Sequence, residues 1–489
     1  MTLVWLIAIP LVGGILSFAL SRFSALAARV LALVAMTAQL SLAITLWPSS
    51  TSAADPWLQA LQARWIPQLG ISFSLTIDGL SLLLILLTGL LGIVSVGISW
   101  SQIDERVGLF HLNLLWVLAG VTGVFLAMDL FLFYFFWELM LIPMYFLIDL
   151  WGHERRHYAA IKFFLFTQLS GLLMLVAIVA LFFTHLQQTG VATFEYQQLL
   201  STPLAPLSGM LMMLGFLVAF AVKLPVVPLH TWLPDAHTQA PTAGSVVLAG
   251  LLLKTGGYGL IRFVVPLFPE AARAFSVPAL VLAVIGILYG AHMAFAQTDM
   301  KRLIAYTSVS HLGFVLLGVF TWNALALQGA VIQMLSHGVS TGALFVLAGI
   351  LQHHLGTRDM AAMGGLWRVV PRLGAAMMFF SMAALGLPGM GNFIGEFLTL
   401  LGTYHLSVSF AVVAAAGLIL ALVYSLWLLD RVLYGPSRDP LAIPDLRASE
   451  LAIVAALALA ILCLGLAPQA FLNISAQALD ALLGPGGAP

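Results

Sequence analysis

Charge is what this sequence has least of. Only 8% of its 489 residues are Asp, Glu, Lys or Arg, against 62% hydrophobic residues, and the mean hydropathy is +1.07. A soluble chain would carry roughly 25% charged residues, so too little polar surface exists to coat a water-soluble globule. The charges present cancel: 19 basic against 19 acidic residues give a formal net charge of zero, with no basic excess to hold nucleic acid. Cysteine is nearly missing. Cys463 alone cannot form an internal disulfide, a CxxC redox pair or a cysteine-ligated iron–sulfur cluster. No GxGxxG follows a strand-like run, and GxxxxGK[ST] does not occur. No cofactor or metal site is therefore expected within this chain.

What the sequence has instead is apolar runs of about twenty residues, long enough to cross a hydrocarbon core of ~30 Å at 1.5 Å per residue. Reading runs between polar or Pro/Gly breaks places segments near 3–20, 27–47, 78–100, 109–128, 130–150, 160–184, 209–232, 243–266, 277–297, 303–321, 325–351, 374–402, 407–430 and 450–471. The first run has no basic residue before it, and Arg22 and Arg29 come after it, the reverse of a signal peptide. It reads as a retained first helix. The spacing predicts an all-α polytopic membrane protein of about fourteen helices.

Loop charges test that count. With fourteen crossings, one set of alternate loops holds Arg22, Arg29, Arg106, Arg155, Arg156, Lys162, Lys301, Arg302, Arg358, Arg368, Arg372, Arg431, Arg438 and Arg447. The other holds only Arg64, Arg262 and Arg273. The positive-inside rule makes the first set cytoplasmic and puts both termini outside.

Four charges fall inside apolar segments. Glu138 sits in FLFYFFWELMLIPMYFL, Lys223 in FLVAFAVKLPVVPLH, Lys254 in VVLAGLLLKTGGYGLI and Glu396 in LGLPGMGNFIGEFLTLL. A charge near the bilayer centre costs at least ~2.5–3.5 kcal/mol on insertion scales. Structural ion pairs between helices are one reading, but buried pairs are poor stabilisers, and two lysines with two carboxylates on four segments suit a relay better. Two of these segments are also broken. Pro225 and Pro228 follow Lys223, while Gly386, Pro388, Gly389 and Gly391 precede Glu396. Either break alone is as well explained by an ordinary proline kink. Discontinuous helices beside a midplane charge are nevertheless the sequence pointer to a transporter site. His311 and His337 lie within segments, where imidazole can pass protons or simply pack. His230, Asp235 and His237 in HTWLPDAH match no established metal-ligand pattern, and His353 and His354 fall at a segment end.

The stretches DLFLFYFFWELMLIPMYFLI, VKLPVVPLHTWLPDAHTQAPTAGSV, AFAQTDMKRLIAYTSVSHLGF and LGLPGMGNFIGEF resemble the antiporter-like subunits of bacterial proton-pumping NADH:quinone oxidoreductase, respiratory complex I, over nearly the whole chain. Among those subunits the M type is the nearest. Glu396 stands where the wider family usually has lysine, a glutamate typical of M, and little chain follows the last segment for a long lateral helix of the L type. The resemblance implies two inverted five-helix repeats, at 109–266 and 277–430, with discontinuous seventh and twelfth helices. Residues 1–108 would form three N-terminal helices, and 431–489 a cytoplasmic loop and the last helix. The resemblance also implies roles: Glu138 paired with Lys223, Lys254 joining two half-channels, His337 on the central axis and Glu396 at its end. His311 is a further candidate on the path. FMN, iron–sulfur clusters and quinone are expected in partner subunits, and the L and N subunits as neighbours, together with lipid. The rival readings are the large subunit of a multi-subunit Na⁺/H⁺ antiporter or of a membrane-bound hydrogenase, and a membrane scaffold that transports nothing.

Overall fold

The computed structural model describes residues 1–47, 57–435 and 443–483. Among them, thirteen helical spans are long and apolar enough to cross a membrane, from Thr2–Leu20 to Ala448–Leu466. The twelfth crossing in chain order is absent from that set because it is broken. Pro371–Ala384 and Gly391–Leu406 are 14 and 16 residues long and are separated by residues 385–390. Counting it restores fourteen. The seventh crossing is broken in the same manner, into Pro206–Lys223 and Trp232–Gln239.

The eighth (Thr242–Leu267), tenth (Met300–Phe320) and eleventh (Ala324–Leu355) spans are wholly enclosed by the others. The first, second and fourteenth present apolar side chains outward. Burial therefore follows polarity rather than hydrophobicity. The spans that carry Lys254, His311 and His337 are the ones shielded from the acyl chains, where an unmet polar group is expensive.

The two repeats mirror one another. In the first, Asp129 precedes the fifth span, accepts hydrogen bonds from the amides of Phe131 and Leu132, and bridges to Glu195 between the sixth and seventh spans. In the second, Asp299 precedes the tenth span, accepts from the amide of Arg302, and bridges to Asp359 between the eleventh and twelfth. In each a long helix follows, Arg156–Thr189 and Ala324–Leu355, then the broken span. Each last helix of a repeat ends in a π-helical turn, Leu260–Val264 and Asp430–Tyr434. Five crossings separate Asp129 from Asp299, an odd number, so the repeats are inverted.

Contacts sort the loops by parity, as the charge bias predicts. On one face the Arg29 guanidinium pairs with Asp104 at 3.0 Å, the amide of His153 donates to the Gln239 carbonyl at 2.9 Å, and Arg358 joins Asp299 at 3.0 Å to the Thr238 carbonyl at 2.7 Å. On the other, the amide of Met128 donates to the Ser74 carbonyl at 3.0 Å and that of Leu130 to the Phe194 carbonyl at 2.9 Å.

Three features depart from the sequence reading. Residues 57–78 form an antiparallel hairpin, β1 (Trp57–Ile66) and β2 (Ile71–Asp78). Its turn needs Gly70, which adopts φ +70° and whose Cβ position lies 2.3 Å from the Ala192 carbonyl oxygen. A short amphipathic helix, Pro468–Leu483, follows the last span. Two basic residues placed in loops are buried within spans instead. Lys301 is fully buried and donates to the Ala240 carbonyl at 3.3 Å. Arg262 is ion-paired with Asp78, the N-cap of the third span, and packs on Trp57 and Tyr258. That pair ties hairpin, third span and eighth span together; losing one partner strands the other in the interior, a cost of about 3–5 kcal/mol.

Candidate functional site

Lys254 lies between two π-helical stretches of the eighth span, Leu248–Leu252 and Leu260–Val264. Such stretches recur at functional sites because they shift carbonyls out of the regular ladder. Here the Lys254 ammonium donates to the Ala249 carbonyl at 2.5 Å, and its Nζ lies 2.6 Å from Nδ1 of His337 on the eleventh span. Both residues are fully buried. At that separation the shared proton can belong to either nitrogen.

The string continues. The His337 ring is 5.8 Å, centroid to centroid, from that of His311 on the tenth span. Nδ1 of His311 is 2.8 Å from Glu396 Oε1, on the second half of the broken twelfth span. The same oxygen accepts from Gln333 Nε2 at 2.9 Å. Nε2 of His311 meets the Tyr424 hydroxyl of the thirteenth span at 3.0 Å. The break explains why Glu396 fits. Gly386 adopts φ +81°, and its Cβ position lies 2.9 Å from Glu396 Oε2, so a side chain there would press on the carboxylate. Lys254, His337, His311 and Glu396 thus bring together the eighth, eleventh, tenth and twelfth spans, and the Tyr424 hydroxyl on His311 adds the thirteenth.

Glu138 and Lys223 form a separate cluster. Glu138 lies at the end of Leu130–Leu139, where the fifth crossing is interrupted at Met140 before resuming as Leu141–Trp151. Pro143 is the cause: its ring cannot sit against the carbonyl of Leu139, four residues back. Gly171 of the sixth span leaves the room that the carboxylate occupies, since a Cβ there would lie 2.7 Å from Oε1. The side chains of Tyr134 and Gln168 flank the Glu138 carboxylate, whose buried Oε1 has no hydrogen-bond partner among the described residues. Lys223 ends the first half of the seventh span, fully buried, with its ammonium 5.5 Å from the Trp137 ring and 5.2 Å from that of Phe163. The two charges feel one another but make no ion pair within 4.0 Å, and Lys223 Nζ has no hydrogen-bond partner among the described residues. The two residues face one another electrostatically without a direct ion pair between them. Aromatic faces, not a carboxylate oxygen, surround the ammonium, an arrangement worth about 2 kcal/mol or more when desolvated.

Asp235 binds Lys162 at 2.6 Å and Arg302 at 3.3 Å, which accounts for its charge without a metal. Among the described residues no group of His, Cys, Asp and Glu has the arrangement of a metal site. His230 packs edge-on against Tyr289, and His237 stacks on Phe345 at 4.5 Å. His353 is exposed and His354 half-buried. Sequence reasoning missed Gln333 and Tyr424. Neither carries charge, and Tyr424 reads as one more aromatic in an apolar run. The interruption at Met140 was signalled by Pro143.

The family described as NADH:quinone oxidoreductase/Mrp antiporter, TM, matches residues 127–421, which contain every residue of both clusters except part of the thirteenth span. The chain is 54% identical over 492 residues to NADH-quinone oxidoreductase subunit M of Pseudomonas aeruginosa, covering 98% of this chain and 97% of the relative. To subunit M of Escherichia coli K12 it is 52% identical, with the same coverage. Its fold matches a chain of respiratory complex I from Thermus thermophilus at a TM-score of 0.88 and 32% identity, over 99% of this chain and 100% of that one. A chain of the Mrp complex from Dietzia shares the fold at 0.84 but only 22% identity, covering 99% and 98%. On sequence and fold together, the chain belongs to the subunit M family of the NADH-quinone oxidoreductases.

Proposed function

We propose that the chain translocates protons as a membrane subunit of a NADH:quinone oxidoreductase, along the buried Glu/Lys/His axis. What supports this reading is the row of buried groups Lys254, His337, His311 and Glu396, hydrogen-bonded at either end, with the His337 and His311 rings 5.8 Å apart in the middle. A proton moves from Nζ to Nδ1 of His337, crosses to the His311 ring when one of the two rings turns or a water bridges the gap between them, and leaves Nδ1 of His311 for Glu396 Oε1. The repeats at 109–266 and 277–430 each supply one half-channel, and Lys254 joins them. A change in the Glu138–Lys223 separation provides the drive, because an opposite charge nearby favours both ionised forms and its withdrawal lets the lysine shed its proton. Moving one charge against 100 mV costs about 2.3 kcal/mol. A swing of two pKa units, at about 1.36 kcal/mol each, matches that cost.

The energy comes from partner subunits, which hold the FMN, iron–sulfur clusters and quinone; the L and N subunits are the neighbours within the bilayer. The sodium/proton antiporter and hydrogenase readings share the fold, but the relatives at 54% and 52% identity are oxidoreductase subunits. The test is pull-down of the tagged chain from detergent extracts, with NADH-driven proton uptake measured in sealed inverted vesicles. Flavin and iron–sulfur subunits are expected to co-purify, and deletion of the chain to abolish uptake. Co-purification with small antiporter subunits and no flavoprotein would overturn the assignment.

The site of action is the bacterial inner membrane with both termini in the periplasm, since the basic residues crowd the loops of the opposite face. Reporter fusions after Arg155 and at the C-terminus are expected to report opposite sides; the same side for both would refute fourteen crossings.

A further inference from the structure

His311 has two ring nitrogens, and each is already engaged. Nδ1 faces Glu396 Oε1 at 2.8 Å, and Nε2 faces the Tyr424 hydroxyl at 3.0 Å. Tyr424 is buried, and its hydroxyl has no other hydrogen-bond partner among the described residues. An ionised carboxylate only accepts, so Nδ1 carries the hydrogen. In the neutral ring Nε2 is then an acceptor, and the only group that can fill it is the Tyr424 O–H. When the ring is cationic both nitrogens donate, and the same hydroxyl must turn to accept. Two settings of one O–H thus correspond to two protonation states of His311, and the switch needs no heavy atom to move.

We propose that Tyr424 is the positioning residue that sets the tautomer of His311, and so aims its proton at Glu396. This rests on the proton path described above. With the hydroxyl donating, His311 waits with Nδ1–H directed at Glu396 and its basic lone pair at Nε2. A proton delivered to Nε2 from the neighbouring His337 ring, whose own Nε2 is unpartnered among the described residues, turns the hydroxyl to the accepting setting, and the Nδ1 proton leaves to Glu396 Oε1. Charge balances: the carboxylate becomes neutral, and the ring is neutral again with its hydrogen on Nε2. Without the hydroxyl, Nε2 of the waiting ring has no donor to fill it, and the Nδ1–H form aimed at Glu396 loses the hydrogen bond that favours it. The titratable groups around His311 are Glu396 from the twelfth span, His337 from the eleventh with Lys254 behind it, and Tyr424 from the thirteenth. Tyr424 is the one among them that needs no net charge to act. Gln333 holds the acceptor on the other side by donating to the same Oε1, so the carboxylate cannot turn away.

The experiment uses the intact complex in sealed vesicles, comparing Tyr424→Phe, His311→Gln and the double variant, with Glu396→Ala as a control on the path itself. Phenylalanine keeps the ring and its packing and deletes only the hydroxyl. Proton uptake per NADH oxidised is expected to fall by about fivefold or more in Tyr424→Phe, with complex content on native gels unchanged. The double variant is expected to match His311→Gln, because residues acting as a unit are non-additive. Unimpaired uptake in Tyr424→Phe, or a loss that multiplies with that of His311→Gln, overturns the proposal, the second outcome marking a packing role. If Tyr424→Phe fails to assemble, Tyr424→Trp and Tyr424→Leu separate loss of volume from loss of the hydroxyl: tryptophan assembling and pumping normally overturns the proposal. If Glu396→Ala pumps normally, the failure lies in the proton path and not in the tyrosine.

Discussion

Lys254→Ala is expected to lower proton uptake by at least about tenfold while the complex still accumulates. The lysine is fully buried and contacts only the Ala249 carbonyl and His337 through its ammonium, so truncation opens the string at its first link without freeing another charge. Lys254→Arg separates charge from proton exchange. Guanidinium keeps the positive charge but essentially never releases a proton in a protein, and it is expected to be nearly as inactive as alanine. The readouts are acidification of sealed vesicles on NADH addition and complex content on native gels. A fully active arginine variant would show that a fixed charge suffices there, and Lys254 would then drop out as a carrier.

The second large effect concerns Glu138 and Lys223. Glu138→Gln keeps the shape that Gly171 makes room for but cannot ionise, and pumping is expected to fall to background in an assembled complex. Lys223→Ala is expected to do nearly the same, since it removes the ammonium held between Trp137 and Phe163. The double variant should be little worse than either single change, because both remove the same coupling. Glu138→Asp retracts the carboxylate by one methylene, and a partial loss is expected. Normal pumping by Glu138→Gln would take the carboxylate off the path. Failure of that variant to assemble would favour the scaffold reading instead.

Much of this molecule was legible because a bilayer punishes exceptions. Lys254 in VVLAGLLLKTGGYGLI and Glu138 in FLFYFFWELMLIPMYFL are conspicuous against their apolar neighbours, and Pro225, Pro228 and Gly386 mark both breaks. Alternation of basic loops gave the parity that the loop contacts display. What stayed hidden was of two kinds. Contacts between distant spans leave no trace in spacing: His311 and Glu396 are 85 residues apart, and Arg262 and Asp78 are 184 apart. Neutral members of a polar string look like packing residues, as Gln333 and Tyr424 do. The hairpin belongs to a third category, since ISFSLTID alternates apolar and polar residues with a period of two, a pattern masked by the longer apolar runs beside it.

The wrapping of Lys223 in aromatic rings has an electrical consequence. Protons hop between groups that share a hydrogen bond, and among the described residues the ammonium of Lys223 has no such partner, whereas Lys254 is engaged on two sides. Trp137 and Phe163 therefore hold the Lys223 ammonium where the proposed cycle needs a gap: its proton can leave only after the side chain moves off the rings. On the proposed reading, such a gap would act as a gate, passing charge only when the side chains around it are displaced.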